Sequence, residues 1–162
     1  MKNKAAIVIP EKIHLFSVNI FKARMDTTDI FLETPQKADA YDFGMSNEMG
    51  HDLENKNVRC RILLTLKARN VDESLLGLEL EYGIEFHFRI DNFSDFYILE
   101  KSGGFKMDSN LAATLLGMAY STARGVVYER TRGTFFDGIL LPVIDPYKAL
   151  DDKQGVNKKS KG

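Results

Sequence analysis

The strictest constraint in this chain is a two-residue alternation that runs through its middle. From Val58 the even positions read Val58, Cys60, Ile62, Leu64, Leu66 and Ala68, while Arg59, Arg61, Leu63, Thr65, Lys67 and Arg69 fall between them. Successive side chains of a strand point to opposite faces, so the pattern predicts a strand with one dry and one wet face. Asn70-Val71-Asp72-Glu73-Ser74 then supplies a polar turn. A second run places Leu76, Leu78, Leu80, Tyr82, Ile84, Phe86, Phe88 and Ile90 on one face, and Glu79, Glu81, Glu85, His87 and Arg89 on the other. Basic groups on one wet face and acidic groups on the next suit cross-strand pairs of an antiparallel hairpin. The second run far exceeds the usual strand of roughly 5–6 residues, so it is expected to coil or break, with Gly83 as the weak point.

The segment from Ile13 to Met25 is rich in β-formers but apolar on both sides: Phe16, Val18 and Ile20 are interleaved with Ile13, Leu15 and Phe21. Such a strand is either covered on both faces or meets another subunit, which makes Phe16, Val18 and Ile20 candidate interface residues. Tyr41, Phe43 and Met45 alternate with polar groups and predict a short further strand. Four strands joined by loops too short for crossover helices imply an antiparallel meander.

After Ile90 the pattern changes. Residues 91–106 read as a loop, and Asp108 or Ser109 caps a helix. Leu111, Leu115, Met118 and Thr122 form one stripe, with Leu116, Tyr120 and Val127 beside it; the helix is expected to run to about Arg132 and stop at Gly133. Ala112, Gly117, Ala119 and Ala123 make it small-sided, which allows close approach of another backbone and marks them as candidate subunit-interface positions, packing within one chain being the other reading. An extended apolar segment follows from Thr134 to Ile144, and Asp145 with Pro146 starts a short final helix to Leu150. The class is therefore α+β: a four-stranded antiparallel sheet, a long helix and a short C-terminal helix. One domain is expected over residues 1–150, with a polar, disordered tail over 151–162.

The 162-residue length and 44% hydrophobic content allow one ordinary core, and a net charge of −1 gives no global field for nucleic acid or acidic lipid. Neither a nucleic-acid partner nor membrane insertion is expected: the apolar run near the N-terminus is too short for a signal segment, and no stretch approaches the roughly 18 apolar residues of a span. The expected address is the cytoplasm. The single cysteine, Cys60, excludes an intramolecular disulfide and any cysteine cluster for zinc.

Catalytic chemistry is hard to find. His14, His51 and His87 lack second ligands at metal spacing, so no metal and no cofactor is expected. Glu79, Glu81 and Glu85 share a strand face, but a solvated face opposite arginines explains them better than paired acid–base carboxylates. Arg130-Thr131-Arg132-Gly133-Thr134 lies at a helix C-terminus, where the dipole disfavours a bound anion. What is in excess is apolar residues outside regular elements. Phe93, Phe96, Tyr97 and Ile98 precede the long helix; Phe135, Phe136, Ile139 and Leu141 follow it. With Tyr41, Phe43 and Met45 they are the candidate lining of a groove for extended apolar polypeptide, the other reading being that they cover the sheet as core.

Arg132-Gly133-Thr134-Phe135, followed at fixed spacing by Leu140-x-Pro142-Val143, resembles the pattern of the SecB family of protein-export chaperones. The order of elements from Ile13 to Leu150 is also similar to that family. The resemblance implies a four-stranded sheet with helices on one side and a homotetramer built as a dimer of dimers. It also implies ATP-independent holding of non-native polypeptide clients in apolar grooves. Export members carry an acidic tail that docks on the translocation ATPase; here the end reads Asn157-Lys158-Lys159-Ser160-Lys161-Gly162, and Phe136 stands where the family has proline. The resemblance therefore favours the chaperone fold ahead of coupling to export, and a chaperone dedicated to one partner, such as an antitoxin, is a second form of it. A different class, a small enzyme with a helix on a curved sheet (hot-dog or NTF2-like), requires an enclosed acid–base site that these residues do not supply.

Overall fold

The computed structural model describes residues 6–152 and the backbone of 158–161. The alternation at Val58 becomes β3 (Asn57–Arg69), and its partner run becomes β4 (Leu75–Ile90), paired antiparallel from Asn57↔Arg89 to Arg69↔Leu75. The expected break at Gly83 is absent: β4 is continuous there, its ladder to β3 shifts instead between Lys67 and Arg69 beside Gly77, and two further irregularities lie in its other neighbour. That neighbour is β1 (Ile13–Thr27), which has register shifts between Leu15 and Ser17 and between Ile20 and Lys22. Phe16 and Phe21 are the extra residues of these two bulges. Bulges increase local twist and re-aim a side chain, which lets a long edge strand follow a coiling sheet.

β2 (Ala40–Asp52) is longer than its short apolar alternation predicts. Ladder hydrogen bonds to β3 carry it through Gly44 and Gly50, where side-chain pattern gives no signal. The sheet order is β1-β4-β3-β2 with β7 (Lys158–Lys161) against the start of β2. Thus β2, β3 and β4 form the expected meander, while β1 lies beside β4. Its connection to β2, residues 28–39, must cross to the opposite edge and carries a one-turn helix, α1 (Asp29–Glu33). Of the tail expected to be disordered over 151–162, Asp151 ends the final helix and 158–161 form β7, while 153–157 and 162 lie outside the described residues.

After β4 a 3₁₀ turn (Phe93–Phe96) leads into a small hairpin of β5 (Tyr97–Leu99) and β6 (Phe105–Met107). The long helix α2 (Ser109–Arg130) starts where Asp108 accepts from the Asn110 and Leu111 amides. At about 1.5 Å per residue it is a rod of roughly 33 Å. It packs on β3 and β4, and α3 (Pro146–Asp151) packs on α2 and β2. Ile62, Ile84, Phe86, Phe88, Leu111 and Leu115 are fully buried between helix and sheet. Each such side chain contributes about 1.5–3 kcal/mol.

The small residues of α2 belong to this layer. Ala112, Ala119 and Ala123 are buried in the single chain, and a β carbon on Gly117 would meet Pro146 Cγ of α3 at 3.5 Å. They bring the helix close to its own sheet and to α3, and Ala112, Ala119 and Ala123 are covered within the one chain while Gly117 stays partly exposed. Periodicity shows that a face approaches something closely; it does not show what.

Candidate polypeptide-binding surface

The Arg-Gly-Thr-Phe stretch is a turn that sends two adjacent phenylalanines in opposite directions. Thr131, fully buried, donates its hydroxyl to the Val127 carbonyl at 2.8 Å and closes the last turn of α2. Gly133 has φ +73°, the left-handed conformation in which glycine is favoured. The Thr134 hydroxyl donates to the Thr131 carbonyl at 2.6 Å and accepts from the Phe136 amide at 3.1 Å. Phe136 is thereby driven into the core beside Tyr41, with 1% of its surface left exposed, and Phe135 is left outside at 49%.

Phe135 meets the crossover. Thr28 accepts the Phe31 amide on its Oγ1 at 3.2 Å and caps α1. The Thr28 amide donates to the Gly77 carbonyl at 2.9 Å, tying the crossover to β4. Phe31 is buried and stands edge-on to Phe135 at 5.0 Å between ring centroids. With Phe31 as anchor, the rest of the turn is left uncovered: Ile30 is 81% exposed, and Leu32 is exposed too. α1, Phe135 and Leu75 at the start of β4 make this end of the sheet apolar at its surface.

The extended segment after the turn is strapped along α2. Tyr120 donates to the Pro142 carbonyl, and Arg124 Nε donates to the Leu141 carbonyl at 2.9 Å. Leu141 points inward, whereas Leu140 and Val143 point out. Asp145 caps α3, and Asn47 of β2 donates to the Ala149 carbonyl at 3.0 Å, so the strap is fixed at both ends.

The candidate groove residues therefore divide. Phe43, Met45, Phe93, Phe96, Phe136 and Leu141 are core, removed from any client because the helix and strap already cover them. Tyr41, Tyr97 and Ile139 are partly buried; Ile98 and Phe135 are exposed. Ile30 and Leu32 were missed. A one-turn helix has no periodicity to read, and the signal available was only Thr28 as a cap before an apolar triplet. On β1, Phe16, Val18 and Ile20 are exposed, with Leu15 and Phe21 beside them. Register places Leu15, Val18 and Ile20 opposite Phe88, Phe86 and Ile84, on the helix side of the sheet beyond the reach of α2.

The open face of the sheet is a lattice of charge pairs: Lys22–Glu81 at 2.8 Å, Lys67–Glu79 at 3.9 Å, and Arg61 with Glu85, which also faces His87 Nε2 at 2.6 Å. The Arg61 hydrogen bond, reinforced by His87, holds the Glu85 carboxyl below its ordinary range. Burial pushes the Cys60 thiol up to about 12, the opposite of an activated nucleophile. Among the described residues no carboxylate is buried, no group of three or more His, Cys, Asp or Glu is placed to hold a metal, and no helix is long and apolar enough to cross a membrane.

No protein-family model matches the chain, and no curated protein matches it in sequence. Its fold is similar to that of a SecB-like chaperone of Mycobacterium tuberculosis, solved in complex with a ChAD peptide from the HigA1 antitoxin. The TM-score is 0.57 at 13% identity, over 83% of this chain and 91% of that one. A protein of unknown function from Streptococcus agalactiae covers 81% of this chain and 97% of its own at 16% identity, with a TM-score of 0.34, too loose a likeness to carry an argument. At such identities the similarity to the chaperone is one of fold: a four-stranded antiparallel sheet with a long helix and a short C-terminal helix.

Proposed function

We propose that this chain is a non-enzymatic, ATP-independent chaperone that holds extended or unfolded polypeptide on its exposed apolar surface. The observation that carries the proposal is the corner where Ile30, Leu32 and Phe135 stand uncovered on rigidly anchored backbone. A surface of this kind offers apolar contact without a fixed polar code, which suits clients that share no sequence. The chaperone of similar fold is described as bound to a peptide, which supports a polypeptide client here as well.

Assembly belongs to the same reading. β1 is an edge strand with exposed apolar groups on both faces, an arrangement that invites pairing with a second copy. A homotetramer formed as a dimer of dimers is the assembly proposed. Of the two partner settings, one dedicated partner such as an antitoxin is favoured over the translocation ATPase, because the chaperone of similar fold is described in complex with an antitoxin peptide.

The test is aggregation of a reduced, denatured model protein on dilution, followed by light scattering without nucleotide. Suppression at stoichiometric amounts of this protein supports the proposal; unchanged aggregation, or a strict monomer by mass measurement, overturns it.

A further inference from the structure

The open face of the sheet alternates in sign from strand to strand. β4 places Glu79, Glu81 and Glu85 there, while β3 has no acidic residue and places Arg59, Arg61, Lys67 and Arg69. β2 reverses the sign again: its charged residues are Asp42, Glu48 and Asp52, and it contains no lysine or arginine. The ion pairs follow this order. Lys67–Glu79 and Arg61–Glu85 join β3 to β4, and Arg59–Glu48 at 3.1 Å and Arg69–Asp42 join β3 to β2. The next strand outward is β7, whose sequence Lys158-Lys159-Ser160-Lys161 is basic. Its register runs from Ala40↔Lys161 to Phe43↔Lys158 and sets Lys159 opposite Asp42. The end of the chain thus continues the charge order of the sheet, and opposite signs on neighbouring strands favour their pairing.

β2 is an edge that β7 covers only over Ala40–Phe43; from Gly44 to Asp52 no strand lies beyond it among the described residues. An open edge offers backbone amides and carbonyls that another extended chain can use. The fold delivers the C-terminal segment to this edge. α3 packs on β2, with Asn47 donating to the Ala149 carbonyl at 3.0 Å, and only residues 153–157 separate its end from β7. So short a tether gives an effective concentration on the order of millimolar. The pairing itself is weak. A stretch without an apolar residue rests on backbone hydrogen bonds and surface charge, the latter worth roughly 0–1 kcal/mol per pair. High local concentration with low intrinsic affinity describes a resident that is easily displaced.

From these observations we infer that the β2 edge is a strand-accepting site and that the chain's own C-terminal segment is its resident, a guard strand that excludes foreign extended polypeptide until it is displaced. The competitor this edge fits is an extended segment in which lysine alternates with apolar residues. Its cations fall beside Asp42 and Glu48 on the open face, and its apolar residues extend the row of Tyr41, Phe43 and Met45 on the helix side. The site lies on the edge opposite β1 and does not depend on the chaperone reading.

The test compares the full-length wild type with a full-length variant carrying both Lys159→Pro and Ser160→Pro. Adjacent residues of a strand turn their amides to opposite sides, so the two prolines remove whichever donor faces β2. Hydrogen exchange of the ¹⁵N-labelled proteins is followed, and each is titrated with two blocked hexapeptides, one alternating lysine with valine and one alternating glutamate with valine. In the variant, protection of the outward amides at 40–43 is expected to fall at least about threefold, with β3 and β4 unchanged. The lysine peptide is expected to shift the β2 amides of the variant and to bind wild type at least about threefold more weakly, the factor a tethered competitor imposes. Its affinity should fall as salt rises. Unchanged protection at 40–43, equal or absent binding of the lysine peptide in the two proteins, equal binding of the glutamate peptide, or shifts mapping away from β2 overturns the inference.

Discussion

The ring of Phe21 lies directly on Gly83: a β carbon at Gly83 would stand 2.4 Å from Phe21 Cε2. The bulge between Ile20 and Lys22 throws Phe21 onto the open face, and the absence of a side chain at Gly83 leaves the space it fills. The Arg61 guanidinium closes the stack, 5.1 Å from the centre of the Phe21 ring. Gly83 thus accommodates a neighbour's side chain rather than breaking its own strand.

Gly83→Ala is accordingly expected to destabilise the fold by about 1–3 kcal/mol through overpacking, although alanine in a strand interior normally gains over glycine. In the Phe21→Ala background the same change should be neutral or stabilising. Urea denaturation of the double-mutant cycle checks this, the sign reversal being the signature.

The Arg61–Glu85–His87 cluster predicts a defined acid response. Glu85 has its folded-state pKa lowered from 4.5, first by the Arg61 hydrogen bond and then by that of His87. A lowered carboxylate stabilises the folded state fully above its unfolded value, and this contribution fades as pH falls through the folded value. Stability should therefore decline below about pH 4.5 more steeply in the wild type than in Glu85→Gln. Denaturant midpoints measured between pH 6 and pH 3 compare the two slopes.

How much of this was legible in the sequence depends on how far each feature is local. The β3–β4 hairpin, the Asp108 and Asp145 caps and the Gly133 stop are written in neighbouring residues, and all are present. The strand order is not local. That β1 pairs with β4 rather than β2 depends on a crossover of residues 28–39, whose single helical turn carries no period. Phe135 and Phe136 share chemistry and position, and only the hydrogen bonds around Thr131 and Thr134 decide which one faces solvent.

Assembly through β1 predicts that Val18→Lys and Ile20→Lys yield folded monomers. Both side chains are exposed in the single chain, so a lysine there costs little in stability. Placing its charge in a subunit contact should weaken association on the order of thirtyfold, as loss of a central apolar anchor does. Sedimentation velocity with circular dichroism on the same samples distinguishes loss of assembly from loss of fold.

The two phenylalanines of the turn predict opposite phenotypes. Phe136→Asp buries an unpaired charge in the core and should unfold the protein, with a cost above about 4 kcal/mol. Phe135→Asp should lower Tm only modestly, because the ring is half in solvent and gives up chiefly its edge-on contact with Phe31, worth about 0.5–1.5 kcal/mol. Thermal melts followed by circular dichroism separate them.

The central claim, that the Ile30–Leu32–Phe135 corner holds extended polypeptide, is tested most directly by fluorescence anisotropy of a labelled, permanently unfolded protein titrated with wild type and with Phe135→Asp. The account predicts saturable, nucleotide-independent binding by wild type and at least about tenfold weaker binding by the stably folded variant. Equal affinity of the two, or no binding by wild type, contradicts it.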